Sequence, residues 1–102
     1  MIIREWRGRT IPSRAAEYPQ HFRQSVMPEL RHLPGFLGAH LAQREFDGKL
    51  EFVVLSRWQS IEAIRAFAGA EIGKAVVEPG AKAALTDFDA TVRHYEVIEE
   101  VA

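Results

Sequence analysis

The stretch EFVVLSRWQSIEAIRAFAG, Glu51 to Gly69, changes its period halfway. Phe52 to Leu55 is a β-branched and aromatic run of the kind that fills strands. From Ser60 onward the apolar residues Ile61, Ile64 and Ala68 share one helical face, with Phe67 flanking it. Ser60 suits the N-cap, since its hydroxyl can accept from the free N–H groups of a first turn. Glu62 places negative charge where the helix dipole favours it. Gly69 closes the segment. A strand that runs into a helix without a linker must feed an element that folds straight back over the sheet.

The strand entering this seam is predicted over Lys49–Trp58, and its partner over Phe36–Phe46. Asp47-Gly48 between them is a strong hairpin signal, because both central residues of a type I′ turn need positive φ. A two-residue loop pairs Phe46 with Lys49 and fixes the register below. Arg44 then faces Glu51 as a cross-strand ion pair, Ala42 faces Val53, His40 faces Leu55 and Gly38 faces Arg57. One side of the hairpin carries Leu37, Ala39, Leu41, Phe52, Val54 and Trp58. The other is mixed, yet holds Phe36, Ala42, Val53 and Leu55.

Ile2–Thr10 reads as a first strand. From Ser13 to about Leu33, apolar residues recur every three or four positions at Ala15, Tyr18, Phe22, Val26, Leu30 and Leu33, which predicts a helix. Pro28 lies deep enough to kink or divide it, and LPGF at Leu33 to Phe36 ends it. Glu71–Val77 and Ala81–Leu85 read as a weaker helical segment broken at Pro79-Gly80. Asp89–Ile98 reads as the last strand. The order β-α-β-β-α-β predicts an α+β, ferredoxin-like fold in one domain, residues 1–102, with a four-stranded antiparallel sheet and helices on one face. Helices cover only that face. The apolar residues opposite therefore predict a homodimer packed sheet to sheet.

At 102 residues the chain suits one domain. A net charge of −1 argues against nucleic-acid binding. No cysteine is present, which excludes disulfides, thiolate metal sites and cysteine nucleophiles. No apolar run approaches a membrane span, and MIIREWRGRT lacks the apolar core of a signal peptide, so the expected location is cytoplasmic and no membrane partner is expected. No dinucleotide fingerprint, phosphate loop or convincing metal spacing occurs, so no cofactor is expected. Glu96 and His94 share a strand face, which is a weak metal signal at best.

The segments LPGFLGAHLAQREFDG, EFVVLSRWQSIEAIRAFAG and the closing VRHYEVI resemble the antibiotic biosynthesis monooxygenase (ABM) superfamily of dimeric α/β barrels, over nearly the whole chain. The resemblance implies a dimer with a small-molecule pocket between helices and sheet. Members include cofactor-independent oxygenases of phenols, quinols and anthrones, and others degrade haem. The haem-degrading pattern wants an Asn in the first strand, a Trp in the helix after the third strand and a His beyond it. Here the first strand has EWRG, the Trp position is Phe67 and the His position is Val77, so haem degradation is not implied.

His94 is the candidate catalytic base, as a group that takes a proton near neutral pH. Deprotonating an electron-rich phenol gives an anion able to pass an electron to O2. A hydrogen-bonded structural His, or one at the dimer seam, is the alternative. Trp6, Trp58 and Phe67 are candidate walls for an aromatic substrate, or core residues. Arg4 shares the parity of Trp6 and could orient an anionic group, or be ion-paired. Tyr95 should point to the opposite face from His94. His40 and Arg57 share the other hairpin face. His21 and His32, three turns apart, cannot share a metal. A non-catalytic ligand-binding protein on the same dimer is the rival reading.

Overall fold

The computed structural model describes residues 1–102. Its strands are β1 (Ile2–Thr10), β2 (Phe36–Phe46), β3 (Lys49–Trp58), β4 (Asp87–Phe88) and β5 (Arg93–Glu96). They form one antiparallel sheet in the order β2-β3-β1-β4, with β5 also pairing β1. This is the ferredoxin-like α+β plan, except that the outer place beside β1 is shared by two short strands. The expected single strand Asp89–Ile98 is reduced to Arg93–Glu96, with Asp87–Phe88 pairing ahead of it and Asp89 between the two. There its carbonyl accepts the Trp6 Nε1–H at 2.8 Å, and its carboxylate accepts from Arg9 Nη2 at 2.7 Å.

The hairpin follows its turn. Asp47 and Gly48 both have positive φ, 54° and 75°. Phe46 pairs with Lys49, Arg44 with Glu51, Ala42 with Val53, His40 with Leu55 and Gly38 with Arg57. Beyond Gly38 the register slips by one residue, so that Phe36 pairs with Trp58. This bulge reverses two expected placements. Phe36 turns inward and packs edge-on against Trp58, 5.3 Å between centroids, while Leu37 is exposed. Gly38, at φ 153°, leaves room for the Arg57 guanidinium to lie where a Cβ would be.

The first helical layer is three joined pieces rather than one helix. α1 (Glu17–His21) widens into a π turn over Phe22–Val26, where the Met27 N–H reaches back to the Phe22 carbonyl, and α2 (Met27–Leu30) follows. Pro28, inside α2, has no N–H to donate, and the wide turn just ahead of it is the division its position predicts. α3 (Ile61–Ala68) starts at Ser60, whose hydroxyl accepts the Ala63 N–H at 3.2 Å. The expected helix over Glu71–Val77 does not form: residues 69–78 carry no regular element. α4 spans Pro79–Ala84, with Pro79 in its first turn, where a missing N–H does no harm. Pro79-Gly80 therefore begins a helix instead of breaking one. No helix is long and apolar enough to cross a membrane.

Two apolar clusters lie between helices and sheet. One joins Tyr18, Phe22, Phe52 and Leu85, and the other joins Leu30, Trp58 and Ile64. The opposite sheet face has no helices. It carries Val53, Leu55 and Ile3, with the exposed Tyr95 beside them, and a dense ion network. Glu51 there is met by Arg44 at 2.8 Å, Arg9 at 3.3 Å and Arg7 at 3.4 Å.

Candidate functional site

A cavity of about 80 Å³ lies between the two apolar clusters. Side chains of one parity build its floor, because alternate residues of a strand face the same way. They are Arg4 and Trp6 of β1, with Val54 and Ser56 of β3. Tyr18, His21, Val26, Glu29 and Leu30 of the first helical layer form one wall, and Phe67 of α3 another. Val76 and Glu78, from the irregular 69–78 segment, also line it. The Trp6 indole is held in place by its bond to the Asp89 carbonyl, and its ring lies 5.8 Å from that of Tyr18.

Arg4 is 5% exposed, and no carboxylate approaches it. Its Nη1 donates to the Ile72 carbonyl at 2.7 Å and to His94 Nε2 at 2.9 Å, and its Nη2 donates to the Lys74 carbonyl at 3.2 Å. The guanidinium carbon sits 5.7 Å from the centre of the Phe67 ring. Burial lowers its pKa to about 10, so it stays a cation at neutral pH. The bond to His94 needs an acceptor, which places the imidazole proton on Nδ1. Burial, and then the Arg4 charge, also lower the pKa of His94 and keep it neutral.

The residues singled out from the sequence part company here. Arg4, Trp6 and Phe67 line one cavity. Trp58 does not: it is fully buried beneath Phe67, stacked at 5.4 Å, with its N–H on Ser56 Oγ at 2.9 Å. His94 stands behind Arg4 rather than on the wall, and the lone pair that would take a substrate proton is occupied by the guanidinium. Sequence reasoning missed the helix-side wall. In the sequence Tyr18 falls on the apolar face of the helix, and His21 stands out only as a metal ligand too far from His32. Yet the Tyr18 hydroxyl meets no protein partner. Burial, reinforced by the charge of Glu78, raises its pKa. His21 Nε2 is buried and also unpartnered. Gly80 makes room for that ring, since a Cβ there would lie 2.7 Å from its Cε1 and Nδ1. No group of three or more His, Asp or Glu side chains comes together as a metal site.

A family model described as antibiotic biosynthesis monooxygenase matches residues 1–79. Among solved structures, a candidate antibiotic biosynthesis monooxygenase of Bacillus cereus superposes with a TM-score of 0.70 at 20% identity, over 99% of this chain and 96% of that one. The haem degrader MhuD of Mycobacterium tuberculosis, solved with two haems in its active site, superposes at 0.67 and 22% identity, over 100% of both chains. The monooxygenase ActVA-Orf6 of Streptomyces coelicolor, solved with nanaomycin D, superposes at 0.60 and 18% identity, over 99% of this chain and 88% of that one. At these identities the likeness is one of fold. No curated protein matches the sequence significantly.

Proposed function

The chain belongs to the antibiotic biosynthesis monooxygenase family, and we propose that it oxygenates a small phenol or quinol with O2, without a cofactor, inside the cavity floored by Trp6. One observation carries this reading. A single pocket brings together an aromatic floor, an unpartnered Tyr18 hydroxyl and a buried cation. Oxidation of a phenol to a quinone by O2 balances with release of one water: one oxygen atom enters the ring and the other leaves reduced, with the substrate supplying every electron. The protein's part is to hold the ring flat, exclude water and favour loss of the hydroxyl proton. The proton-accepting groups on the wall are His21, Glu29 and Glu78. His94 acts one step back, orienting Arg4. The expected homodimer belongs to the same proposal, supported by Val53, Leu55 and Tyr95 on the uncovered sheet face. A single-subunit mass in sedimentation at micromolar concentration would remove it.

The cavity's size bounds the substrate. About 80 Å³ is far below the roughly 300–1,000 Å³ of drug-sized ligand sites. The substrate is therefore one ring, unless the 69–78 segment lifts. The same observation supports the second reading, a binding protein without turnover. An oxygen electrode separates the two. With monocyclic phenols and quinols, uptake above buffer is expected, lost when Val54→Phe fills the floor. Binding of the same compounds with no uptake would leave only the second reading.

A further inference from the structure

We propose that Arg4 forms a carboxylate subsite, so that the cavity selects a small hydroxy-aromatic acid, its carboxylate on Arg4 and its hydroxyl toward Tyr18 and Glu78. The proposal rests on the binding half of the functional reading above and names its substrate class.

The first observation is the missing counter-ion. Buried cations are normally paired, because an unpaired charge away from water is expensive. The other two arginines of β1 are paired: Arg9 meets Glu51, Asp87 and Asp89, and Arg7 meets Glu5 and Glu51, whereas half-buried Arg57 on the uncovered face also lacks a carboxylate. Arg4 is more buried than any of them and meets none.

The second observation is which donors remain. A guanidinium has five N–H donors in a planar fork. The Ile72 carbonyl and His94 Nε2 take the two on Nη1, and the Lys74 carbonyl takes one on Nη2. Nε–H and one Nη2 proton are left without protein acceptors. Nε and Nη2 share an edge of the fork, the arrangement that accepts a carboxylate through two parallel bonds. His94 and the two carbonyls hold the plane of that fork before any ligand arrives.

The third observation is polarity along the cavity. Glu29 and Glu78 also line it, and a carboxylate beside Arg4 would supply the missing partner from within the protein. Burial alone accounts for the pKa shift of Arg4, whereas the Glu78 charge is felt at Tyr18. Glu78 therefore lies with Tyr18, and no carboxylate pairs with Arg4 at the cationic end. Trp6, beside Tyr18 and two residues from Arg4 on the same strand face, spans the distance between them, which suits one aromatic ring.

The test is calorimetric titration of the full chain with 4-hydroxybenzoate and with its neutral analogue 4-hydroxybenzamide. The acid should bind at least about tenfold tighter, as expected for exchanging a charge-assisted pair for a neutral contact. In Arg4→Gln that preference should fall to about threefold or less, and in Arg4→Lys it should lie between, because Lys keeps the charge and loses the fork. Circular dichroism checks that the variants fold; the comparison of the two ligands on the wild-type protein stands without them. Equal affinity for acid and amide overturns the proposal, as does a preference that survives in Arg4→Gln. Oxygen uptake with neutral phenols but no binding of the acid overturns it too, while leaving the oxygenase reading intact. Tight binding of the acid without oxygen uptake upholds it and removes the oxygenase reading instead.

Discussion

β1 carries arginines toward both faces of the sheet, and two of them, Arg4 and Arg9, live by opposite rules. Arg9 points to the uncovered face. It holds Asp89 at 2.7 Å and Glu51 at 3.3 Å and also bonds Asp87. The Asp89 hydrogen bond, opposed by burial and assisted by Asp87, raises its pKa. Arg4 points under the helices, is nearly sealed from water, and has two carbonyls and a neutral imidazole for company. Its pKa falls to about 10. Arg9 is explained by the sheet it fastens together. Arg4 fastens the 69–78 segment through two carbonyls, but no partner charge offsets its burial, and an unpaired buried cation marks a candidate site.

The covered face should also dominate subunit stability. Trp58 is fully buried, packed on Phe36 and Phe67 with its N–H satisfied by Ser56. Trp58→Ala should cost about 3–5 kcal/mol in denaturant unfolding, the largest effect expected of any single truncation here. Leu55, half-buried on the uncovered face, should cost about 1 kcal/mol or less as Leu55→Ala in a single subunit. If Leu55→Ala cost as much as Trp58→Ala in the isolated subunit, the two faces would not differ as described.

The arginines give a sharper contrast. Arg9→Met removes the partner of three carboxylates and should destabilise by about 2 kcal/mol, since hydrogen bonds to charged groups contribute roughly 1.5–3 kcal/mol. Arg4→Met should change stability by less than about 1 kcal/mol, because relief from burying an unpaired charge offsets the three lost hydrogen bonds. Thermal or urea unfolding of the two variants side by side decides it. A larger loss from Arg4→Met would make Arg4 a structural residue, in the same class as Arg9.

How far the sequence carried the fold depended on where local chemistry was decisive. Asp47-Gly48 dictated the hairpin register from Phe46 as far as Gly38, because the turn geometry suits two residues at positive φ. Ser60 and Gly69 bounded α3 for similarly local reasons. Leu37 was illegible, since a bulge is a matter of tertiary fit: seating Phe36 against Trp58 decides it, and no turn signal announces it. Residues 71–77 read as helical, but the Ile72 and Lys74 carbonyls there accept from Arg4 and the Gly73 carbonyl accepts the Val92 N–H. The last strand is shorter than expected because Asp89 serves Trp6 and Arg9, partners 83 and 80 positions away in sequence. In the cavity, strand parity was enough to place Arg4 beside Trp6. Tyr18 and His21 were hidden, because a helix's apolar stripe looks the same whether it fills a core or lines a void.

Acid titration gives the smallest effect and separates the faces without a mutation in the cavity. Burial opposes ionisation of Glu51, yet the hydrogen bond and charge of Arg44, the charge of Arg7 and the bond from Arg9 hold its pKa below the usual value. Asp87 is lowered chiefly by its hydrogen bond from Arg9. A carboxylate whose folded pKa is depressed stabilises above its unfolded pKa, and that contribution disappears as pH falls through the folded one. Unfolding free energy should therefore drop below about pH 4, near the unfolded values of Glu and Asp. The drop attributable to Glu51 should be on the order of 1 kcal/mol, because Arg44 and Asp87 stand partly in water and screen the network. Glu51→Gln should flatten that acid limb, and added salt should shrink it. Arg4→Met should leave the limb unchanged, because no carboxylate is held down by Arg4. An acid limb that shifts in Arg4→Met would reveal a hidden carboxylate partner inside the cavity, and the unpaired cation on which the carboxylate subsite depends would no longer be unpaired.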